Sequence, residues 1–425
     1  MEVPVWQRFV SLGGLLTIVA LAWLLSKHRD QVAWRLVGWG IGLQLIFGVI
    51  VMKTRAGRWF FSVLNDIVLA LLGFTAKGTE FIFGDFASDS FTIAINVLPT
   101  LIFFSALMTM LYHLGLMQRI VSGFAWLMRR TMKTSGSETL ATAANTFVGQ
   151  TEAPLMVAPF IKGMTQSELM ALMTGGFATV AGGVLAAYVG LLESVVPNIA
   201  GHLIAASVMS APAALVIAKV MWPETESSET GGETTIEVDR PDVNLIDAAA
   251  RGATEGMKLA LNVGAMLIAF IALIALGNAL LSLPFHLYNE WLGLDGAGAV
   301  QPWTLQKILG WIFWPFAFLI GVPVPECSFV GALLGEKLVL TEFIAYLHLH
   351  EALSDNLATL SPRTVVIVSY ALCGFANFGS IGIQLGGVGG IAPERRHDLA
   401  RLGPRAMFAG MLGSLMTAAV AGMLY

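Results

Sequence analysis

Eight apolar stretches, each close to the length that a helix needs to cross a bilayer, constrain this chain more than any other feature. A membrane-spanning helix requires about 20 mostly apolar residues. Because 56% of the 425 residues are hydrophobic and only 12% are charged, the composition excludes a soluble globular fold. The sequence predicts an all-α polytopic membrane protein with eight transmembrane helices at 6–26, 36–52, 91–114, 169–192, 199–222, 262–283, 364–391 and 405–425.

Three further segments are amphipathic rather than uniformly apolar. Residues 55–83 place aromatic and aliphatic side chains at helical spacing, which predicts a helix lying along the membrane interface. Residues 117–132 carry three arginines and predict a second interfacial helix. Residues 284–301 contain several glycines and predict a loop or another interfacial segment.

The sequence GQTEAP at 149–154 places an amide, a hydroxyl and a carboxylate in three consecutive residues inside an apolar region. The flanking glycine and proline disfavour a continuous helix. The surrounding residues therefore predict a re-entrant hairpin at 137–162, with this polar stretch at its tip. A carboxylate at membrane depth is costly, and such residues are usually retained for a task.

A second interrupted segment indicates an internal repeat. The sequence GVPVPE, which ends at Glu326, breaks an apolar run and predicts a second re-entrant hairpin at 308–337. Each hairpin precedes a span containing Gly-Phe-Ala and then a polar residue, Thr179 in one copy and Asn377 in the other. Because an odd number of predicted crossings separates the copies, they form an inverted repeat. This pattern is typical of secondary transporters, in which substrate binds near the midplane where helices are broken.

The broken segments bring together polar groups without a basic residue. The predicted polar set is Gln150, Thr151, Glu152, Glu326, Asn377 and Ser380. No lysine or arginine lies within 135–160, 175–200 or 309–335. Phosphate or carboxylate ligands normally recruit a cation, so a neutral substrate with hydroxyl and amide groups is favoured. Phe177 and Phe375 add aromatic faces against which a ring could pack.

Each of these residues also has a structural interpretation. The glutamates could accept bonds from hairpin N–H groups, and Gln150 and Thr151 could be turn or cap residues. Asn377 could hydrogen-bond a neighbouring helix, and the two phenylalanines could pack in the core.

Four motifs resemble those of the concentrative nucleoside transporter family, most of all its bacterial sodium-coupled branch. They are GQTEAP at 149–154, GVP at 321–323 ahead of Glu326, EFIAY at 342–346 and LCGFAN at 372–377. The resemblance extends from the first predicted span to the end of the chain.

The resemblance implies a homotrimer with a fixed scaffold and a transport domain that moves across the membrane like an elevator. The implied scaffold comprises 1–115 and 244–283, and the implied transport domain comprises 116–222 and 284–425. Residues 223–243 would form a flexible acidic linker between them.

The resemblance also implies roles for individual residues. Gln150, Thr151 and Glu152 would contact the nucleobase, with Val184 packing on it. Glu326, Asn377 and Ser380 would contact the ribose, with Phe375 nearby. Sodium would bind the Asn145 side chain, the Thr179 hydroxyl and the carbonyl oxygens of Val148 and Val180.

Two positions depart from the family pattern. Thr179 stands where serine is common, which keeps the hydroxyl and adds a methyl group. Val324 and Pro325 precede Glu326 where tryptophan and a polar residue are usual, which leaves the base preference open. Asn145 favours sodium over protons as the coupling ion.

The resulting hypothesis is a sodium–nucleoside symporter, without enzymatic activity and without a nucleic-acid partner, in the inner membrane of a bacterium. Its partners are the nucleoside, the sodium ion and the lipid bilayer. A proton-coupled symporter is the alternative within transport. A channel and an intramembrane enzyme with paired glutamates as acid and base are alternatives of other classes.

Overall fold

The computed structural model describes residues 5–86, 92–231, 242–294, 300–355 and 360–425, and within these ranges the regular elements are all helical. The α-helices are α1 (Val5–Leu24), α2 (Trp34–Lys53), α3 (Arg55–Phe83), α4 (Leu98–His113), α5 (Leu116–Met132), α6 (Gly136–Asn145), α7 (Ala158–Ile161), α8 (Gln166–Ala178), α9 (Gly182–Leu192), α10 (Ile199–Met221), α11 (Leu245–Leu292), α12 (Leu305–Leu319), α13 (Cys327–Val339), α14 (Glu342–Ser354), α15 (Pro362–Leu372), α16 (Phe378–Ile391) and α17 (Arg396–Leu424). In the described ranges, eight segments are long and apolar enough to cross a membrane, which confirms the predicted class.

Seven of the predicted spans coincide with such segments. Residue 91, at the start of the third, lies outside the described residues. The predicted span at 364–391 consists of two shorter helices, α15 and α16, as expected for a broken helix. The eighth long apolar segment is instead α3, which was predicted to lie at the interface. Its helical form is confirmed, and its interfacial position stays a prediction.

The loop alternative at 284–301 is wrong for its first part, because α11 continues through Pro284 to Leu292, and the interfacial alternative stays a prediction. A proline removes one helical hydrogen bond. Helices in membranes tolerate that loss when local adjustments satisfy the freed carbonyl. Residues 295–299 lie outside the described part of the chain.

The helices divide into a buried centre and an exposed periphery. In α10, 89% of the apolar stretch is buried, and α8, α9 and α17 are similarly enclosed, whereas only 17% is buried in α11. The peripheral α11 packs closely along α4. A Cβ atom added at Gly256 would lie 2.7 Å from the Cα atom of Ile102, so glycine is required for this approach.

Both predicted re-entrant hairpins are present. In the first, α6 runs to Asn145, and the return consists of a 3-10 turn at Ala153–Val157 followed by the single turn of α7. The return is shorter than the predicted helix because Pro154 and Pro159 interrupt helical hydrogen bonding. In the second, α12 and α13 pack against each other and are joined by a turn at Gly321, whose φ of +97° favours glycine.

The two helix breaks lie against each other at the centre. The first separates α8 from α9 at residues 179–181, and the second separates α15 from α16 at residues 373–377. Gly374, in the second break, has a φ of +144°. A Cβ atom there would lie 2.8 Å from the carbonyl oxygen of Ala178, at the end of α8. Glycine therefore permits the two unwound segments to touch.

The described start of the predicted flexible linker is bonded to the helices beside it. Ser228 donates to Oε1 of Glu168 at 2.5 Å, and the backbone N–H of Gly136 donates to the carbonyl oxygen of Thr230 at 2.9 Å. These bonds fasten residues 223–231 to the bases of α8 and α6. Residues 232–241, which carry the rest of the prediction, lie outside the described residues.

Candidate functional site

The tip of the first hairpin contacts α16 through three polar side chains. Gln150 donates from Nε2 to the Ser380 hydroxyl at 3.3 Å. Gln384, one turn further along α16, donates to Oε1 of Gln150 at 3.0 Å and to the carbonyl oxygen of Met173 at 3.1 Å. The structure therefore brings Gln150 and Ser380 together as predicted. It adds Gln384, which the sequence interpretation missed, although i and i+4 spacing places it on the same helix face as Ser380.

Two glycines make room for this contact. A Cβ atom at Gly176 would lie 2.9 Å from Cβ of Gln150 and 2.7 Å from Nε2 of Gln384. A Cβ atom at Gly387 would lie 2.7 Å from Cγ2 of Thr151. Each distance is shorter than a normal contact, so the hairpin tip fits against α8 and α16 only because these positions lack side chains.

A buried carboxylate lies at the second break. Glu342, at the start of α14, is 5% exposed and accepts from the Tyr188 hydroxyl at 2.7 Å through Oε1. Its Oε2 accepts from the side-chain amide of Asn377 at 2.9 Å. The oxygen of that amide accepts from the backbone N–H of Ser380 at 2.8 Å and so caps α16. Glu342 is thus fixed by donors from α9 and from the break.

Glu326, which the resemblance assigns to the ribose, lies at the turn of the second hairpin. Its carboxylate accepts from the backbone N–H and the hydroxyl of Ser361 at 3.3 Å. Ser361 precedes α15, and the free N–H groups at a helix N-terminus attract a carboxylate. Glu342 is the carboxylate that accepts from Asn377, and the role of Glu326 toward the ribose stays a prediction. In the sequence, Glu342 is distinguished only as the first residue of the motif EFIAY.

Glu152 faces a different space, a cavity on the side of the hairpin toward α4 and α11. Thr151 donates to Oε1 of Glu152 at 2.9 Å, and Glu152 is exposed. A cavity of about 510 Å³ lies between the first hairpin, α4 and α11, and Glu152, Tyr112 and Glu255 are among its lining residues. This volume is within the usual range for small-molecule sites.

The apolar candidates differ in exposure. Val184 is 5% exposed on α9, and Phe375 is partly buried at the second break. Phe177 is fully buried, and a Cβ atom at Gly410 would lie 2.4 Å from its Cβ atom. For Phe177, packing in the core is therefore the interpretation that the structure supports.

Two of the predicted cation ligands, Thr179 and Val180, lie in the first break, and the other two, Asn145 and Val148, lie in the first hairpin. Asn145 is 1% exposed and donates to the carbonyl oxygen of Ala141 at 3.1 Å, while its Oδ1 atom is buried and has no hydrogen-bond partner among the described residues. The backbone N–H of Gly182 donates to the carbonyl oxygen of Phe147 at 3.0 Å, which ties the hairpin tip to the segment that carries Val180. Phe147 immediately precedes Val148 in the chain.

The Thr179 hydroxyl, in the same break, donates to the carbonyl oxygen of Gly175 at 2.9 Å and keeps lone pairs free. An unsatisfied buried amide oxygen is costly. The first break thus offers neutral oxygen atoms of the kind that a small hard cation requires.

Comparisons with known proteins agree with this geometry. Residues 202–422 match the family model described as "Na+ dependent nucleoside transporter C-terminus", and residues 13–86 match the corresponding N-terminal model. Residues 94–195, which include the first hairpin and the first break, match a model described as "Nucleoside recognition".

Individual relatives cover nearly the whole chain. A Bacillus subtilis (strain 168) protein named "Uncharacterized transporter YutK" is 45% identical over 96% of this chain and 98% of its own length. "Solute carrier family 28 member 3" of Rattus norvegicus is 42% identical over 98% of this chain. The chain spans about three fifths (59%) of that relative's length.

Two solved structures of a transporter named CNTnw share the fold. Its inward-facing, substrate-bound state is 41% identical, with a TM-score of 0.88 over 98% of each chain. An outward-facing state of a doubly substituted form has a TM-score of 0.90 at 40% identity, over 99% of this chain and 98% of that one.

Proposed function

The chain belongs to the Na⁺-dependent nucleoside transporter family, and from this premise we propose that it is a sodium-coupled symporter that imports nucleosides by elevator-type alternating access. We place it in the inner membrane of a bacterium as a multi-pass homotrimer. The relative whose structures include inward-facing, outward-facing and intermediate states supports alternating access as the mechanism.

The observation that carries the proposal is the meeting of the hairpin tip with both helix breaks. Gln150, Gln384 and Ser380 present donors and acceptors on one side, and Glu342 with Asn377 presents them on the other. A nucleoside carries amide-like groups on its base and hydroxyls on its ribose, and both need partners when they leave water. The side chains of this cluster are neutral amides and hydroxyls and one carboxylate, which suit the hydroxyl and amide groups of a nucleoside.

Roles follow from the chemistry of each group. We assign Gln150, Thr151 and Glu152 to the base, with Val184 packing on it. We assign Asn377, Ser380 and Glu342 to the ribose, with Phe375 beside it. In this assignment Glu342 joins Glu326, the ribose contact predicted from the sequence, because a carboxylate can accept from two hydroxyls and Glu342 is the carboxylate bonded to Asn377.

Sodium coupling is supported by the first break. Oδ1 of Asn145, the Thr179 hydroxyl and the carbonyl oxygens of Val148 and Val180 form the proposed set of ligands. Broken transmembrane helices commonly bind coupling ions through unwound carbonyls in this way. A bound sodium would connect α6 to the start of α9 and would order the hairpin tip that carries Gln150.

The elevator assignment is supported by the pattern of burial. The enclosed helices α8 to α10 and α17, together with the two hairpins, would form the moving body, within the predicted ranges 116–222 and 284–425. The exposed α1, α2, α3, α4 and α11 would form the scaffold, within 1–115 and 244–283. Their exposed apolar faces would contact lipid and the other two protomers of the trimer.

An equilibrium binding measurement tests this function. Uridine binding to the purified protein would be measured by calorimetry in sodium chloride and in choline chloride. The proposal expects sodium to raise the affinity for uridine, and uridine to raise the affinity for sodium by the same factor, because linkage is reciprocal. Uridine binding of equal strength in both salts would contradict sodium coupling, and proton coupling would then be examined by varying pH.

A further inference from the structure

Lys337 is a buried cation that the proposed transport mechanism has not used. It lies on α13, the returning helix of the second hairpin, and its side chain is 2% exposed. Its ammonium group donates to the carbonyl oxygen of Ala371 at 2.8 Å. Ala371 is in the last turn of α15, where unpaired carbonyls give the helix end a partial negative charge.

Lys337 and the buried Glu342 contact the two ends of the second break, Lys337 through the Ala371 carbonyl just before it and Glu342 through Asn377 at its end. The hydrogen-bond donors of Glu342 are the hydroxyl of Tyr188 and the amide of Asn377, and both are neutral. A buried carboxylate and a buried ammonium are each costly when alone and tolerable when they compensate each other. Because both groups are buried at the second break, Lys337 is in a position to supply the positive charge that Glu342 lacks.

The inverted repeat contains a counterpart to the contact between Lys337 and the carbonyl oxygen of Ala371. The sequence Gly374-Phe375-Ala376-Asn377 corresponds to Gly176-Phe177-Ala178-Thr179, so Ala371 corresponds to Met173. Both carbonyls accept a bond from a side chain, from Lys337 in one copy and from Gln384 in the other. At the break of the first copy, however, the proposed positive charge is an exchangeable sodium ion held by Asn145 and Thr179.

We propose that the Lys337 ammonium is a tethered cation at the second helix break, where it balances the negative charge of Glu342. The exchangeable sodium ion supplies the corresponding positive charge at the first break. Each nucleoside is therefore transported with one exchangeable cation. This inference rests on the proposed function. Lys337 is a positioning residue in it, because it acts on substrate through the Glu342 carboxylate.

Removal of the tethered charge should change the cation requirement rather than only the rate. In Lys337→Met, Glu342 would need a free cation, which is either a second sodium ion or a proton. The titratable groups that face Glu342 are Tyr188 on α9, Tyr346 on α14, Cys373 in the break and Lys337 itself. Tyrosine and cysteine do not become cationic, so they cannot replace the lysine.

The test uses uridine uptake into proteoliposomes containing the full chain. Initial rates would be measured against sodium concentration at neutral and at mildly acidic pH, for the wild type, Lys337→Met and Lys307→Met. Lys307 is a control from the same hairpin, because it is exposed and donates to the carbonyl oxygen of Pro302. Wild type and the control should show a Hill coefficient for sodium near one and little dependence on pH.

Lys337→Met should be at least about tenfold slower at neutral pH, as expected for an uncompensated buried charge. It should recover at acidic pH, or at high sodium with a Hill coefficient above one. The proposal would be overturned if Lys337→Met matched Lys307→Met in rate, sodium dependence and pH dependence. It would also be overturned if Lys337→Met were slower but its sodium dependence and pH dependence were unchanged.

A thermal unfolding series covers the case in which Lys337→Met has no measurable uptake. Adding Glu342→Gln to Lys337→Met should raise the unfolding temperature of that variant, whereas Glu342→Gln alone should not raise that of the wild type. The absence of this rescue would overturn the proposal. If the wild type itself shows no sodium-driven uptake, the proposed function fails, and the unfolding series still tests whether Lys337 balances Glu342.

Discussion

The side-chain amide of Asn377 donates to Oε2 of Glu342 at 2.9 Å, although the two residues are 35 positions apart in the chain. This bond joins the first turn of α14 to the N-cap of α16, and both residues are at least 95% buried. A carboxylate held in this way is preorganised to accept from two neighbouring hydroxyls. In the proposed assignment, this carboxylate accepts from the ribose hydroxyls.

Glu342→Gln tests that role. The substitution keeps the shape but removes the charge, and hydrogen bonds to charged groups contribute about 1.5–3 kcal/mol. We therefore expect the Kd for uridine in sodium to rise about 10- to 100-fold, measured by calorimetry. Glu351→Gln, at an exposed position on the same helix, is the matched control and should bind as the wild type does. Equal affinities of the two variants would contradict the assignment.

The neighbouring glycines of α16 offer a paired test of the hairpin contact. Gly387→Ala places a methyl group 2.7 Å from Cγ2 of Thr151, whereas a Cβ atom at Gly386 meets nothing within 4 Å. Overpacking usually costs about 1–3 kcal/mol. We expect Gly387→Ala to lower uridine uptake about tenfold and Gly386→Ala to leave it unchanged. A similar uptake rate for both alanine variants would show that the tip does not need this close approach.

Gln384 is predicted to position Gln150 for the base. In Gln384→Leu the Oε1 atom of Gln150 loses its donor, and an unsatisfied buried acceptor costs about 1–3 kcal/mol. The KM for uridine should therefore rise about tenfold, while the sodium concentration for half-maximal uptake changes little. A shift in the sodium requirement with an unchanged KM would place Gln384 in the cation site instead.

Asn145→Ala addresses the cation site itself. Loss of the buried Oδ1 atom removes one proposed sodium ligand, so the half-maximal sodium concentration should rise about tenfold, in line with a charge-assisted interaction of roughly 1.5 kcal/mol. Thr142→Ala is the control, because Thr142 is buried on the same helix and bonds only to the backbone of Glu138. Unchanged sodium dependence in Asn145→Ala would refute the ion-site assignment.

The sequence was sufficient to predict the hairpin tips and the helix breaks, because glycine and proline within apolar runs are local signals. The glutamine at 150 and the asparagine at 377 were likewise visible as polar residues where lipid offers no partner. Their predicted roles in binding are the subject of the experiments above.

The partners of these residues were harder to predict, because tertiary contacts decide them. Glu342 follows Thr341, which caps α14, so its carboxylate resembles an ordinary first-turn acid until α9 and the second break enclose it. Glu326 is the reverse case. It follows a conspicuous glycine–proline turn, yet its carboxylate reaches the N-terminus of α15. Pro284 was predicted to begin a loop or interfacial segment. In the structure a single proline does not end a helix as long as α11, which continues to Leu292.

The measurement that tests the central claim most directly is the uptake of radiolabelled uridine into proteoliposomes under an inward sodium gradient, compared with a matched choline gradient. The account predicts that uridine accumulates above its external concentration only with the sodium gradient, and that the accumulation is lost in Glu342→Gln. Equal uptake in sodium and choline, from protein shown to be folded and oriented in the vesicles, would contradict sodium-coupled nucleoside transport.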